Sequence, residues 1–437
     1  MSRNYLYIIF YLFLALQSGL CKVWGQTQTL RTDSLRNIHL QEVVVTAVQP
    51  DAPGTRSVIG QEAIRHIQAT ELSGLSQLLP GVLTRNPDLN VPAAFTIRSA
   101  SYEDPTNALG TAILVDGVRM NNNINLQQTA LGAIGKLFNS SALSGFDVRS
   151  LSPSSIETVE VIRGVPSVRY GDVTSGVVLV KSKVGVQPYT AGLRFTASEK
   201  LFSLGKGWAL EKNRGTIYLG ADYALSNLDN RQPEQTFQRM GLQVAYAKDF
   251  PSATFRLNFR GYHMQDKDEK GKNMLNGEYQ KTVNQGLSFS MNGQWNLRKV
   301  WITSLEYEAG LTYGYQKNRS SLYYSGTQQV TTYETEAGEH AGVFLSPNYF
   351  SDLSVEGKPL TADASLIPNL RQSIYNNVYN HFSLGVKAGM EGNHGEGISF
   401  NPLAPSTEMI GARARSYRDI PFVHQYAAFA EDRLTLR

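Results

Sequence analysis

Seven histidines are the first place to look for metal or proton chemistry. They stand at His39, His66, His263, His340, His381, His394 and His424. No two share the His-x-x-x-His spacing that sets a pair of ligands on one helix face. No Gly-x-Ser-x-Gly elbow is present to raise a serine nucleophile, and no Gly-Lys-Ser/Thr loop to cradle phosphate. Asp266-Lys267-Asp268-Glu269 gathers carboxylates, but it lacks the rest of a calcium loop and sits among lysines. It reads as a solvated hairpin tip. The 22 tyrosines could stack on sugars, although interface girdles explain them better. The residues therefore offer no catalytic group, no metal site and no cofactor, and the chain reads as something other than an enzyme.

The elements that would carry any site must then be found from pattern. The chain has 437 residues, 41% hydrophobic and 18% charged, with 38 glycines. That is enough for a sizeable core and argues against disorder. A net charge of +4 is too small an excess to point to nucleic acid. No run of about twenty apolar residues exists to span a bilayer as a helix. What remains is a folded chain that is either soluble or a membrane β-barrel.

The start reads as a secretory signal peptide over 1–25. Arg3 supplies the positive end, Tyr5 to Leu16 is unbroken and apolar, and cleavage is expected after Gly25. Cys21, the only cysteine, falls inside it, and Leu20 is not the small residue that a lipoprotein site wants. Residues 26–50 are polar except for Leu40 to Ala47, whose three successive valines favour an extended backbone. Composition alone makes this the first strand of the next domain or a strand awaiting a partner chain, and favours the first.

Residues 51–188 read as a small α/β domain. Leu72, Leu75, Leu78 and Leu79 recur at helical spacing with Thr70 as a cap, and Pro80-Gly81 stops the helix. Phe95-Thr96-Ile97-Arg98 alternates as a strand does. Ala112 to Val115, Asp116-Gly117 and Val118 make a hairpin with a two-residue turn. Pro153-Ser154-Ser155 opens a helical turn, Val159-Glu160-Val161 is extended, Arg163 to Pro166 breaks the chain, and Gly176 to Val180 is a last strand.

From 189 to 437 apolar and polar residues alternate with period two. Ile217, Leu219, Ala221, Tyr223 and Leu225 oppose Tyr218, Gly220, Asp222, Ala224 and Ser226. Phe255, Leu257 and Phe259 oppose Arg256, Asn258 and Arg260, and Leu287, Phe289 and Met291 oppose Ser288, Ser290 and Asn292. Several stretches alternate for about ten residues or more, as a tilted bilayer-crossing strand requires. Alternation alone does not say which face points inward; the export signal and the aromatic strand ends favour apolar outward. Residues 248–253 and 298–300 read as short turns, 264–281 and 318–372 as long polar connections.

Taken together, these segments resemble a TonB-dependent receptor, an outer-membrane transporter whose barrel is closed by an N-terminal plug. Glu42-Val43-Val44-Val45-Thr46-Ala47 resembles the TonB box, and Leu78-Leu79-Pro80-Gly81-Val82 the plug's helix and its stop. Phe95 to Arg98 resembles the Ile-Arg-Gly strand, with Ser99 where the family usually has glycine. Leu114-Val115-Asp116-Gly117-Val118 resembles the Asp-Gly hairpin. The most specific block runs from Ile156 through Arg163-Gly164 and Tyr170-Gly171 to Val180.

The resemblance implies a membrane β-barrel preceded by a small α/β plug, at 51–188, after a periplasmic extension at 26–50. Leu40 to Ala47 becomes the partner-seeking strand, with Glu42, Val43, Val44, Val45, Thr46 and Ala47 binding the TonB C-terminal domain. Arg98 and Arg163 become the residues that lock the plug to barrel glutamates, and Pro80, Gly81, Asp116, Gly117, Gly164, Tyr170 and Gly171 the plug turns. About nine strands follow Thr190, where the family has about 22. The chain also ends in Arg437 rather than an aromatic residue, so the expectation is an incomplete, N-terminal part of a barrel.

The implied activity is energy-coupled uptake of a scarce extracellular ligand, such as a siderophore or other metal chelate, across the cell outer membrane. The implied partners are TonB, outer-membrane lipid and that small ligand. Two other readings stand beside it: a plug-bearing fragment acting only as a TonB-binding or signalling module, and a secreted soluble β-sheet enzyme.

Overall fold

In the computed structural model the described residues are 55–80, 88–97, 110–121, 146–164, 166–171 and 173–436. The last span omits 228, 230, 232–233, 270–276, 326–329, 332–337, 345–347, 376–377, 402–403, 405–413 and 415. The chain divides into Met1–Glu42 and Val43–Arg437, and everything described lies in the second unit. The signal segment, Leu40 to Ala47, Gly81 and Arg98 lie outside the described residues.

The N-terminal part is a five-stranded sheet with short helical pieces. Strand β1 (Thr55–Ile59) runs through Gly60 into helix α1 (Gln61–Ile67), which the sequence pattern did not announce. Too few apolar residues lie in α1 to show a period; it buries only Ala63 and Ile64. The leucine run is helical as expected, but as a 3-10 turn, Leu72–Leu78, entered from Glu71 rather than capped by Thr70. Leu72, Leu75 and Leu78 are three apart, which matches three residues per turn and sets them along one side. Phe95 to Ile97 forms no strand; both ends of that short piece are buried in the core without pairing to a described strand.

Strands β2 (Thr111–Val115) and β3 (Val118–Arg119) are joined by Asp116 and Gly117, with φ of 52° and 87°. Two positive φ values in a two-residue loop are the turn that the strand twist demands, and glycine takes the second without strain. Strands β4 (Ile156–Arg163) and β5 (Gly176–Ser182) complete the order β1-β4-β5-β2-β3, with β2 and β5 parallel. A 3-10 turn at Pro153–Ser155 precedes β4, as the proline foretold. Ile59, Leu72, Leu75, Ile113, Val159, Val161 and Val178 form the core of this domain.

The rest is one large antiparallel sheet. Its first strands are β6 (Thr190–Phe195), β7 (Glu199–Ala209), β8 (Thr216–Asn227), β9 (Gln235–Phe250), β10 (Ala253–Asp268), β11 (Tyr279–Asn296) and β12 (Ser304–Ser325). A separate pair, β13 (Val330–Thr331) and β14 (Val343–Phe344), precedes β15 (Asn348–Gly357) and β16 (Pro359–Tyr375). Then come β17 (Val378–Asn393), β18 (Gly397–Phe400) and β19 (Val423–Leu436). The sheet has 12 strands, with a main path running from β19 through β17, β16 and β12 back to β6. It does not close: β6 and β19 are its edges among the described residues.

The count exceeds the expected nine because 318–372 is mostly strand and not a polar connection. β12 pairs with β16 at one end and with β15 at the other, in one unbroken register on either side of Lys358. Pro359 and Pro368 hide this in the sequence. The β16–β17 ladder skips Pro368, which has no N–H to donate, and resumes at Asn369. β12 is 22 residues long, about twice what a tilted bilayer crossing needs, so this sheet extends beyond a bilayer's thickness at its long-loop end.

The structure decides which face is which. Leu242, Phe289 and Leu311 are 45%, 43% and 46% exposed, whereas Arg239, Asn258, Asn284 and Asn318 on the opposite face are buried. The apolar face is therefore the outer one, as the export signal favoured, and the polar face turns toward the N-terminal domain.

Candidate functional site

The plug-like domain meets the polar inner face of the sheet through a continuous set of polar contacts. At one end the Asp116-Gly117 turn seats on β11 and β12. Asn292 Nδ2 donates to the Asp116 carbonyl oxygen at 3.0 Å. A Cβ on Gly117 would lie 3.2 Å from Cδ of Glu308, and one on Gly310 only 2.1 Å from Val118. Glycine at 310 thus lets the hairpin approach the strand's backbone. The Asp116 carboxylate accepts from the Ser182 backbone N–H and hydroxyl at 2.8 and 2.6 Å, and lies 3.8 Å from Nη2 of Arg260 on β10.

Arg149 is the most heavily bonded side chain of this interface. It sits in a 3-10 turn, Val148–Ser150, and is 1% exposed. Nε and Nη2 donate to Asp147 of the same turn, with Nη2 at 2.7 Å. Nη1 and Nη2 form a fork onto Asp266 of β10 at 3.2 and 3.1 Å, and Nη1 also donates to the Leu89 carbonyl oxygen at 2.8 Å. The guanidinium lies 4.6 Å from the Phe237 ring centre. Two carboxylates hold its charge firmly, against a desolvation that alone would lower its pKa. A reciprocal contact comes from β9: Arg239 bonds Asp222 through Nε at 3.0 Å and reaches with Nη1 to the carbonyl oxygens of Thr70 and Arg149. Leu89 inserts among Ala224, Phe237 and Met264, so apolar packing accompanies the ionic contacts.

Toward the short-turn end, the domain and sheet enclose a cavity of about 630 Å³ with charged walls, among them Arg169, Glu306, Glu308, His381, Lys387 and Glu431. Arg169 is 3.5 Å from Glu306. Its carbonyl oxygen accepts from Lys387, and Ser167 donates to Glu431. A second cavity of about 270 Å³ is bounded by Arg119, Tyr170, Asp363 and Glu391. Burial pushes the Tyr170 hydroxyl pKa up.

Of the residues singled out from the sequence, Asp116 and Gly117 touch the sheet directly, and Tyr170 and Gly171 line the second cavity. Gly164 has φ of 117°, a turn that favours glycine. The Pro80 carbonyl oxygen accepts from Arg163, which also donates to the Ser57 hydroxyl at 3.2 Å. Both of these bonds stay within the N-terminal domain, and cross-domain ion pairs are made by Arg149, Arg169 and Arg260. The sequence reading missed these. Charges at inward strand positions, such as Asp222, Arg239, Arg260 and Asp266, are the signal that could have found them. Asp266 was read as part of a solvated tip; it belongs to β10, and its carboxylate holds a buried arginine.

Residues 48–178 match the family model of the TonB-dependent receptor plug domain. The chain carries a TonB-dependent receptor plug. No curated protein sequence matches the chain. Among solved structures, the unliganded ferric citrate transporter FecA is similar at a TM-score of 0.58 and 13% identity, over 89% of this chain and 55% of that one. The open form of the ferric-catecholate import receptor Fiu of E. coli K12 gives 0.52 and 13%, over 88% and 57%. A mutant ferric enterobactin receptor of Pseudomonas aeruginosa, PfeA, in complex with enterobactin, gives 0.51 and 17%, over 89% and 57%. The chain thus spans a little over half the length of each. At these identities the likeness concerns the fold: a plug seated on the inner face of a receptor-type barrel sheet. The proteins matched are receptors and transporters.

Proposed function

We propose that the protein works as a TonB-dependent outer-membrane receptor taking up a scarce metal chelate of the siderophore type. The observation that carries this reading is a plug held against the polar face of a sheet whose other face is apolar and exposed. Outer-membrane barrels turn short loops to the periplasm, which would set the β9–β10 and β11–β12 turns there and the β12–β15 connection outside. In this reading Glu42 to Ala47 is the segment with which the TonB C-terminal domain pairs, main chain to main chain. The ferric citrate, catecholate and enterobactin receptors of similar fold support the chelate class. The charged cavity between plug and sheet supports a hydrated passage and a polar, charge-bearing cargo. No bond in the cargo need be made or broken; the plug must only shift.

The test uses the full chain produced in an outer-membrane-bearing host. Capture by immobilised TonB C-terminal domain is compared for the wild type and Val44→Pro, and uptake of radiolabelled ferric citrate and ferric enterobactin is followed in the same cells. Loss of capture in the variant together with TonB-dependent uptake of either probe supports the proposal. Equal capture of both proteins ends the TonB assignment. Capture without uptake favours the second reading, a TonB-binding module without a working pore.

A further inference from the structure

Glu71 is a buried carboxyl that the ion pairs described above leave unused. It is 2% exposed and opens the 3-10 turn Leu72–Leu78. Its Oε1 accepts from the Ser73 hydroxyl at 2.7 Å, while Oε2 is buried without a hydrogen-bond partner, as is the hydroxyl of the neighbouring Thr70. The peptide that carries it is the one the sheet holds, because Arg239 donates to the Thr70 carbonyl oxygen at 3.1 Å. The turn Leu72–Leu78 itself contains no charged residue. Asp147 and Arg149 face Glu71 from the neighbouring turn, and Arg239 faces it from β9. Behind them stand Asp222 on β8, Asp266 on β10, Glu199 near Arg239, and Tyr262 near Asp147. Asp147, Asp222 and Asp266 already share the two guanidinium groups of Arg149 and Arg239. A further negative charge at Glu71 would add to these carboxylates around two cations, on a residue only 2% exposed.

We propose that Glu71 is a proton-operated release for the plug. With its proton, the carboxyl stays dry and the brace from Arg239 to Thr70 and Arg149 holds. Ionised, it draws water to Oε2 and loosens the turn from the sheet. The expected range is physiological: burial, followed by Asp147, pushes the Glu71 pKa up to about 7, against the Ser73 hydroxyl and the two guanidinium groups. The inference concerns plug anchorage and needs neither TonB nor cargo, so its test and that of the uptake reading fail separately.

Hydrogen exchange of the full chain in detergent micelles, read by mass spectrometry and corrected for intrinsic rate, tests it. In the wild type, protection of peptides covering 70–79 and 146–152 should fall by up to about tenfold per pH unit as pH rises from about 4.5 toward 7, and level off above it. Peptides from β4 and β5 should not follow. Glu71→Gln should keep its protection at pH 8. Equal wild-type protection at pH 6 and pH 8, or a Glu71→Gln chain that loosens as the wild type does, overturns the proposal. Should Glu71→Gln fail to fold, Ser73→Ala decides. Removing the hydroxyl that favours the ionised form must move the levelling-off to higher pH, and an unmoved levelling-off overturns the proposal equally.

Discussion

The backbone carbonyl oxygen of Arg149 accepts a hydrogen bond from Nη1 of Arg239 at 2.8 Å, so the plug's buried arginine and the sheet's buried arginine are joined directly. Each also holds a carboxylate from the sheet, Asp266 for Arg149 and Asp222 for Arg239. The two guanidinium groups therefore pin the plug from opposite directions. Removing one arginine leaves buried carboxylates without their cation, which costs about 3–5 kcal/mol. Arg149→Ala should destabilise the folded chain by that order in denaturant unfolding, and Asp266→Asn by less, because Asp147 remains. A double-mutant cycle between Arg149 and Asp266 should return a coupling of about 1 kcal/mol or more. Additive effects would mean the fork carries no energy.

Gly310 and Gly171 make a matched pair. A Cβ at 310 meets Val118 at 2.1 Å, whereas a Cβ at 171 meets nothing within 4 Å. Gly310→Ala should displace the Asp116-Gly117 hairpin from β12 and cost roughly 1–3 kcal/mol through overpacking. Gly171→Ala should be close to neutral. Thermal unfolding of the two variants checks the contrast, and equal shifts would contradict the seating of the hairpin.

The pH dependence of stability carries two signs. Glu71 has its folded pKa raised from 4.5 to about 7, so the folded state binds the extra proton. Stability is then full below 4.5 and falls as pH rises toward 7, by at most about 3 kcal/mol for a group this buried. Glu71→Gln should flatten that slope in denaturant titrations at a series of pH values.

Lys183 acts the other way and in another window. Burial lowers its pKa from 10.5 to about 8, with Arg65 adding, while Nζ donates to the Ser154 carbonyl oxygen at 2.6 Å. The folded state sheds its proton first, so stability rises between about 8 and 10.5. Lys183→Met should abolish that rise relative to the wild type. An unchanged alkaline limb would show that Lys183 is hydrated.

The exposed apolar face predicts a lipid partner. Leu311→Lys should lower the stability of bilayer-inserted chain by about 2–4 kcal/mol if it lies near the midplane, while Ser290→Thr on the inner face should have far less effect. Flotation with outer-membrane vesicles and unfolding in lipid would read the difference. Equal behaviour of the two variants would argue against a lipid-facing surface.

Much of this architecture can be read without coordinates. The Asp116-Gly117 turn, the extended Val159-Glu160-Val161, the last plug strand and the alternating sheet each follow from local preference. In each, a two-residue period or a special φ leaves its mark in residue type. The failures share one cause. Residues 318–372 read as a connection because they are long and polar, yet β12 supplies the partner that keeps β15 and β16 extended. Phe95 to Ile97 looks like a strand because its side chains alternate, but alternation records burial, and burial here needs no pairing. The cross-domain ion pairs of Arg149, Arg169 and Arg260 join residues roughly 115 to 145 positions apart in the chain, beyond the reach of any local pattern.

By itself, the order of residues determined that this chain has a compact α/β domain followed by long amphipathic strands, because backbone preference and hydrophobic period act over neighbours. Which face is wet, where the plug is fastened, and which carboxyl is buried among the charges of the contact were decided only in three dimensions. Each of those depends on desolvation and on charges brought together from distant segments, and neither quantity exists until the sheet and the plug have met.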